Sequence, residues 1–198
     1  MYRNETVTSV QERLRAESDG VVGLCRRPTV GDRASMPYAA ATVLELLRYG
    51  SMSPMAIPHQ TVRDTRIGDV PIPAGVWTFL HLRCVHHDPA FWHEPYRFRP
   101  ERFLDADGAG GGGGGGRLVP VDDERRRRVL SFSGGPRACP GEEVAKARLF
   151  LAVATVVQRT AAILPDDAAP QVSCDPRTFQ PGLVLTPKHY RVRFVRRR

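Results

Sequence analysis

One cysteine lies on a loop rich in glycine and proline, between Phe132 and Gly141 (FSGGPRACPG). A thiolate on such a loop can act as a single axial metal ligand, because amide donors and the positive end of a following helix stabilise its charge. Glycines let the backbone approach a large flat group, and Arg137 can bind a carboxylate with two N–H donors. Phe132 can cover the sulfur of Cys139 and exclude water. The alternative is a structural cysteine in a turn, the more common role of a lone cysteine.

Five positions match one pattern in fixed register, namely Phe132, Gly135, Arg137, Cys139 and Gly141. Composition alone would produce this match in a chain of this size with a chance of about one in ten thousand or less. The loop resembles the haem-thiolate loop of the cytochrome P-450 superfamily. This resemblance implies that haem b is the cofactor, that Cys139 is the axial iron ligand, and that the other four residues line the cofactor site.

Composition places the chain in a broad class. Its 198 residues are 41% hydrophobic and 25% charged, which is typical of a globular chain of one or two domains with a sizeable core. The sequence has no apolar run of membrane-spanning length and no signal-peptide pattern. The four cysteines lie far apart and form no CxxC, so neither a zinc site nor a disulfide framework is indicated.

The chain carries a net charge of +8, which calls for an acidic partner or a solvated basic surface. The densest basic runs are Arg125–Arg128 and the tail Arg191–Arg198. Nucleic acid is the obvious alternative partner, but no aromatic-interleaved basic stripe or nucleic-acid motif accompanies these runs. We therefore expect no nucleic-acid partner, and favour a solvated basic face or a docking face for an acidic redox protein.

Hydrophobic periodicity and turn residues predict the secondary structure. Helices are predicted at 7–17, 37–48 and 142–161. Strands are predicted at 59–66, 70–73 and 76–82, with a turn at 67–69. Asp88 and Pro89 indicate the start of a short helix. Two extended pieces, 183–186 and 190–195, predict a closing hairpin.

Two adjacent histidines, His86 and His87, raise the question of a metal site. No carboxylate or cysteine stands beside them at ligand spacing. We therefore interpret both as hydrogen-bonding surface residues rather than metal ligands.

Two further motifs resemble family elements in the family's order. Glu45-Leu46-Leu47-Arg48 looks like the ExxR helix element, and Pro100-Glu101-Arg102-Phe103 looks like the PERF element. The resemblance implies that Glu45, Arg48 and Arg102 form a buried, structural charge cluster that stabilises the haem-side core.

The resemblance also assigns residues around the cofactor. His59 sits where the family places a second donor to a haem propionate, with Arg137 as the first. The segment that contains Ala56 and Ile57 matches a substrate-lining strand. The turn that contains Gly182 and Leu183 matches the last substrate-lining segment.

The implied fold is mainly α with small β-sheets (α+β), the C-terminal, proximal-haem portion of the cytochrome P-450 fold. Residues 1–198 would form a single partial domain with a flexible glycine insertion at 108–116. The family's amino-terminal half is expected to be missing, and with it the membrane anchor and the distal helix whose acid–alcohol pair delivers protons. We therefore expect the chain alone to be inactive.

The implied function is that of a haem-thiolate monooxygenase, which inserts one oxygen atom from O2 into a lipophilic substrate such as a steroid, fatty acid or xenobiotic. The sequence of these motifs is similar to that of animal microsomal members, including the steroid 17α-hydroxylases and drug- and fatty-acid-oxidising relatives. Electrons would come from NADPH through a flavoprotein reductase on the basic proximal face. The location would be the cytoplasmic face of the endoplasmic reticulum membrane, reached only through the missing anchor. The alternative is a non-catalytic haem-binding or regulatory remnant.

Overall fold

Helices dominate the part of the chain that the computed structural model describes, which comprises residues 5–105, 116–163 and 173–197. The helices are α1 (Glu5–Val21), α2 (Pro37–Gly50), α3 (Leu82–His86), α4 (Glu124–Arg127) and α5 (Glu142–Arg159). Short 3-10 turns cover Val30–Ser35, Pro100–Phe103, Gly135–Arg137 and Pro176–Thr178. The three helices predicted from periodicity are present with small shifts of their ends.

Short antiparallel strand pairs complete the described fold. They join β1 (His59–Gln60) with β4 (Trp77–Thr78), β2 (Thr65–Ile67) with β3 (Val70–Ile72), β5 (Leu104–Asp105) with β6 (Arg117–Leu118), and β7 (Thr160–Ile163) with β8 (Arg193–Arg196). The predicted fold class, mainly α with small β-sheets, is confirmed. None of the helices described here is both long and apolar enough to cross a membrane.

The main core lies where α1, α2 and α5 pack together. Its buried members recur at helical spacing, namely Val10 and Leu14 from α1, Ala39 and Val43 from α2, and Phe150, Ala154 and Val157 from α5. Side chains three or four residues apart share one face of a helix, so each helix offers one apolar stripe to the others. A second cluster between α2 and the β5–β6 pair contains Ala41, Leu44, Trp92, Phe103 and Val119.

The start of α2 is capped by a side chain from another helix. The Glu17 carboxylate accepts the backbone N–H groups of Tyr38 and Ala39, at 2.7 and 2.8 Å. These amides are among the four that a helix leaves unpaired at its start, and Pro37 at the first position has no N–H to satisfy. Burial raises the pKa of Glu17, although both amide bonds favour its charged form.

Two of the predicted strands are shorter than expected. The predicted strand 59–66 is split into β1 and β2, which pair with different strands, and side-chain hydrogen bonds supplement the backbone bonds of the residues between them. The Thr61 hydroxyl donates to the carbonyl of Pro73 at 2.6 Å, and the Asp64 carboxylate accepts the amide of Ala74 at 2.8 Å. The predicted strand 76–82 is reduced to β4, which ends at Thr78, and the last predicted residue, Leu82, begins α3 instead.

The short helix predicted from Asp88 is placed wrongly, because α3 begins earlier, at Leu82, and ends at His86. The imidazole of His81 accepts the amide of Cys84 at 3.1 Å and so caps α3, a role for which histidine is not a favoured residue. The helix predicted from Asp88 is a single turn. The Asp88 side chain does accept the amide of Ala90, at 2.9 Å, as a cap would.

The predicted hairpin between 183–186 and 190–195 is wrong. Strand β8 pairs instead with β7, in the register Thr160 with Arg196. Helix α5 therefore ends at Arg159, before the predicted residue 161, and Thr160 begins a strand. The Arg197 guanidinium reinforces this arrangement by donating to the carbonyl of Val157 at 3.0 Å.

The glycine-rich region joins two paired strands, β5 and β6. Apart from Gly116, the insertion predicted at 108–116 lies outside the described residues. At Gly116 a Cβ would stand 2.5 Å from the carbonyl oxygen of Asp105, so glycine is required there for the strands to pair.

Candidate functional site

A buried ion pair forms the centre of the site. The Arg48 guanidinium binds the Glu45 carboxylate with two donors, Nε to Oε2 at 2.7 Å and a terminal N–H to Oε1 at 2.8 Å. Both side chains have no exposed surface. Their i, i+3 spacing on α2 brings them to the same face, and the planar fork matches the carboxylate geometry.

Arg102 joins this pair from the turn Pro100–Phe103. Its Nε donates to Glu45 Oε1 at 3.2 Å, and the Arg99 amide donates to the same oxygen at 2.8 Å. Burial lowers the pKa of Arg102, while Glu45 opposes that shift. The structure thus brings together the three residues predicted to form the charge cluster.

The cluster also binds backbone groups from later segments. A terminal N–H group of Arg48 donates to the carbonyls of His86 and Pro95, at 2.7 and 2.9 Å. The guanidinium lies 5.1 Å from the ring centroid of Trp92, within cation–π range. A single buried arginine therefore connects α2, the end of α3 and the segment before Pro100.

The cysteine loop is closed by its own backbone. The Cys139 amide donates to the carbonyl of Phe132 at 2.9 Å, and the Ala138 amide donates to that of Gly135 at 3.0 Å. Gly135 has a φ of +76°, in the left-handed region that glycine tolerates. Ser133 also has a positive φ, +64°, which marks a strained turn.

Cys139 is exposed at the tip of this loop, and its carbonyl accepts the Glu142 amide at the start of α5 at 3.3 Å. A Cβ built at Gly141 would lie 3.7 Å from the Cys139 sulfur. A side chain at this position would therefore be in van der Waals contact with the sulfur, and glycine leaves that side of the sulfur uncovered. The loop presents one thiol to solvent beside residues without bulk.

Helix α5 carries an acidic and a basic side chain that pair in its first turns. Lys146 forms an ion pair with Glu142, and its ammonium lies 6.0 Å from the ring centroid of Phe132.

The Ser131 hydroxyl donates to the carbonyl of Leu47, near the end of α2, at 3.0 Å. The cysteine loop is therefore attached to the helix that carries the charge cluster.

The two predicted propionate donors are both accessible. Arg137 ends the turn Gly135–Arg137 and is exposed, and His59 is exposed on β1. Among the described residues neither side chain has a hydrogen-bond or ion-pair partner, so both can bind a ligand. The structure records no contact between them.

The two predicted substrate-lining segments lie side by side. The Leu185 amide donates to the carbonyl of Met52 at 2.7 Å, and the Ala56 amide donates to that of Leu80 at 3.0 Å. Ala56 is buried, whereas Ile57 is 82% exposed and Leu183 is 93% exposed. Gly182 belongs to the same turn, where a Cβ would lie 3.2 Å from the carbonyl oxygen of Val184. Together the segments present an open apolar surface.

Most of the basic run at 125–128 is engaged within the fold. Arg125 pairs with Asp123 and Asp105 at 2.7 and 2.9 Å. Arg128 pairs with Glu124 and covers the ring of Phe91. Arg126 donates to the carbonyl of Val119, whereas Arg127 is exposed and has no ion pair among the described residues. The charge that is free for a partner is smaller than the sequence indicates.

The interpretation of His86 and His87 as surface residues was wrong, because both are buried. His87 contacts the ring of Tyr96 in a stacked geometry. Within the described residues no cluster of metal-binding side chains occurs. Burial of the imidazoles is the main reason that the pKa of each histidine is lowered to about 4.

These two histidines predict acid sensitivity. Between pH 6.5 and 4 the unfolded chain binds protons that the folded chain excludes, so the free energy of unfolding should fall as the pH falls. The slope can reach about 1.4 kcal/mol per pH unit for each histidine. Urea titrations at several pH values measure it, and His87→Phe should reduce the slope.

Carboxylates have less effect on how the free energy of unfolding changes between pH 6.5 and 4. Arg26 holds the pKa of Asp32 below its ordinary range, so that group protonates at lower pH. The raised pKa of Glu17 acts with the opposite sign, since its protonation favours the folded chain. A stability that stays constant from pH 6.5 to 4 would contradict the prediction.

Sequence reasoning missed several residues around the site, among them His86, Ser51 and Leu130. Ser51 has a positive φ of +40° just after α2, where its amide donates to the carbonyl of Leu47 at 3.2 Å. Only the HHDP run near α3 could have marked His86, and it gives no information on burial. The contacts that tie these residues together come from distant parts of the chain.

Comparison with known proteins identifies the family. The cytochrome P450 family profile matches residues 6–194. Cytochrome P450 1A2 of Oryctolagus cuniculus is 37% identical over 188 residues, covering 95% of this chain and 33% of that protein. Steroid 17-alpha-hydroxylase/17,20 lyase of Gallus gallus is 37% identical over 184 residues, and the match covers 93% of this chain and 33% of the length of that protein.

A solved structure is similar as well. The zebrafish cytochrome P450 determined with abiraterone superimposes with a TM-score of 0.79 at 32% identity, covering 96% of this chain and 40% of that one. The chain thus spans about a third of the length of the relatives that it matches. The predicted resemblance to animal microsomal enzymes and to part of their fold is confirmed. The chain belongs to the cytochrome P450 family.

Proposed function

We propose that this chain forms the proximal portion of a haem-thiolate monooxygenase. The observation that carries the proposal is the exposed thiol of Cys139 on a closed loop, attached to a buried Glu45–Arg48–Arg102 cluster. All four cysteines are exposed, so exposure alone does not single out Cys139. What distinguishes it is the closed turn that presents it, with Gly135 and Gly141 beside it.

The residues present fit haem b. Cys139 supplies a thiolate donor, and Gly135 and Gly141 leave space beside it for a flat macrocycle. Arg137 and His59 are exposed donors suited to propionate carboxylates. Phe132, which precedes the turn, supplies apolar bulk near the loop.

Haem held by a thiolate would supply, when bound, the activation of dioxygen for insertion of one oxygen atom into a C–H bond. Cys139 would hold the group and donate electron density from its sulfur. Arg137 and His59 would hold the propionates and fix the orientation of the group. Ile57 and Leu183 would exclude water from the substrate side.

The substrate would be lipophilic. Ala56, Ile57, Gly182 and Leu183 offer apolar or small surfaces and no charge. The similarity to a steroid hydroxylase supports a steroid, fatty acid or xenobiotic. By the same similarity, electrons would come from NADPH through a flavoprotein reductase, and the enzyme would act at the endoplasmic reticulum membrane. Whether this length of chain turns over alone stays a prediction, and we expect that it does not.

Haem titration of the 198-residue chain tests the proposal. The reduced sample treated with carbon monoxide should show the long-wavelength Soret band that a thiolate ligand produces. A band of the type given by nitrogen ligands, or no uptake of haem, would contradict it. Haem uptake with this band, but no turnover after fusion to the amino-terminal portion of a relative, would favour a non-catalytic haem-binding role.

The reductase partner gives a separate prediction. In a completed enzyme, Arg127→Glu should slow reduction of the haem by the flavoprotein, because an exposed positive charge near the cysteine loop accelerates encounter with an acidic partner. The defect should be several-fold at low salt and shrink as salt screens the charge. Stopped-flow reduction rates measure it.

Arg63→Glu is the matched control, since Arg63 is also exposed but lies in the connection between β1 and β2. It should leave the rate near that of the parent. Equal defects in both variants, or a defect that salt does not change, would argue against docking at Arg127.

A further inference from the structure

His86 is held in a single tautomer. Its Nε2 accepts the amide N–H of Leu130 at 2.8 Å, and an amide can only donate. Nε2 must therefore carry the lone pair, and the ring proton resides on Nδ1. From there it is donated to the Ser51 hydroxyl oxygen at 2.7 Å. That hydroxyl donates in turn to the carbonyl of Arg48 at 2.8 Å.

This chain of bonds joins the cysteine loop to the charge cluster. The carbonyl of Leu130 accepts the Ser133 amide at 2.8 Å, so Leu130 lies at the first turn of the loop. At the other end, Arg48 donates to the carbonyl of His86 itself at 2.7 Å. The imidazole is fully buried between these groups and is not accessible to solvent.

We propose that His86 is a positioning residue that holds the entry of the Cys139 loop against the end of α2 and thereby fixes where the sulfur is presented. This inference rests on the proposed function in one respect, namely that the sulfur is a haem ligand. His86 acts through Leu130 and needs no contact with the cofactor.

The physical argument concerns the Leu130 amide. If the imidazole is replaced by an apolar ring, that partly buried N–H loses its acceptor inside the protein, and a donor shielded from water without a partner is costly. The loop can regain hydration only by moving its entry away from α2. The Ser131 hydroxyl would still donate to the carbonyl of Leu47 and so keep one side-chain hydrogen bond between the loop entry and α2.

Three variants separate positioning from general packing. His86→Phe keeps a ring of similar shape and removes both polar atoms. His86→Gln places a carbonyl oxygen where Nε2 was and so restores the acceptor. His87→Phe is the control, because His87 is also buried and bonds to the carbonyl of Arg83, but within the described residues it makes no hydrogen bond to the cysteine loop.

The first measurement is hydrogen–deuterium exchange on the 198-residue chain without haem. In His86→Phe the peptide that spans 128–141 should exchange about tenfold faster than in the parent, the expected effect of losing one buried hydrogen bond. His86→Gln should recover most of the protection. His87→Phe should match the parent over this peptide.

The second measurement is the ratio of thiolate-type to nitrogen-type absorption after haem loading. It should fall in His86→Phe, recover in His86→Gln and stay unchanged in His87→Phe. Equal acceleration of exchange by the two phenylalanine variants, failure of glutamine to restore it, or a Leu130 amide that is unprotected in the parent would overturn the proposal. The expected exchange pattern in a chain without a thiolate spectrum would support the positioning role and count against the proposed function.

Discussion

Replacing Cys139 with serine should abolish the thiolate-type spectrum in an enzyme completed with this chain. A hydroxyl is a poor iron donor at neutral pH, whereas a thiolate is a strong one. Among the described cysteines, Cys139 alone has a glycine within four residues on each side, namely Gly135 and Gly141. The reduced carbon monoxide spectrum measures the loss directly.

The other cysteines provide the controls. Cys84→Ser is the most informative, because Cys84 is exposed as Cys139 is but lies in α3. Serine at Cys25, Cys84 or Cys174 should leave the thiolate band at full amplitude. A thiolate band that persists in Cys139→Ser would refute the assignment of the ligand. Loss of the thiolate band in Cys84→Ser, with the fold intact, would mean that the ligand is not Cys139.

The parts of the molecule that depend on local sequence could be predicted. Helix α2 begins at Pro37 and ends at Gly50, as the N-terminal proline and C-terminal glycine indicate. The i, i+3 spacing of Glu45 and Arg48 places them on one face. The cysteine loop was recognisable because its glycines and proline restrict a short backbone in a way that few residue combinations do.

The parts that depend on distant contacts could not be predicted. Strand β8 pairs with β7, which lies more than thirty residues earlier in the chain, and no turn residue marks such a pairing. The side chain that caps α2 belongs to Glu17 on α1. From the sequence alone, a carboxylate on a helix face is predicted to be exposed to solvent. The partners of the His86 ring, Leu130 and Ser51, lie more than thirty residues away in the sequence. In each case tertiary packing decided what local preference left open.

The charge cluster predicts the largest effect on stability. Glu45→Ala removes the carboxylate that Arg48 and Arg102 share, and it leaves two guanidinium groups with little exposed surface facing each other. Removing one member of such a buried pair costs about 3–5 kcal/mol, because the remaining charge is uncompensated. That loss is comparable to the whole free energy of unfolding of many domains. We therefore expect little folded protein, measured by urea denaturation or by soluble yield.

A lysine at position 48 makes the same test more specific. Arg48→Lys keeps the charge but cannot form both bonds to Glu45 and also donate to the carbonyls of His86 and Pro95. It should destabilise the chain by several kcal/mol as well. Glu124→Ala is the control, since its i, i+4 pair with Arg128 is exposed and worth about 0.3–0.5 kcal/mol. If Arg48→Lys were as stable as Glu124→Ala, charge alone would hold the cluster, and the four bonds of the guanidinium would contribute nothing.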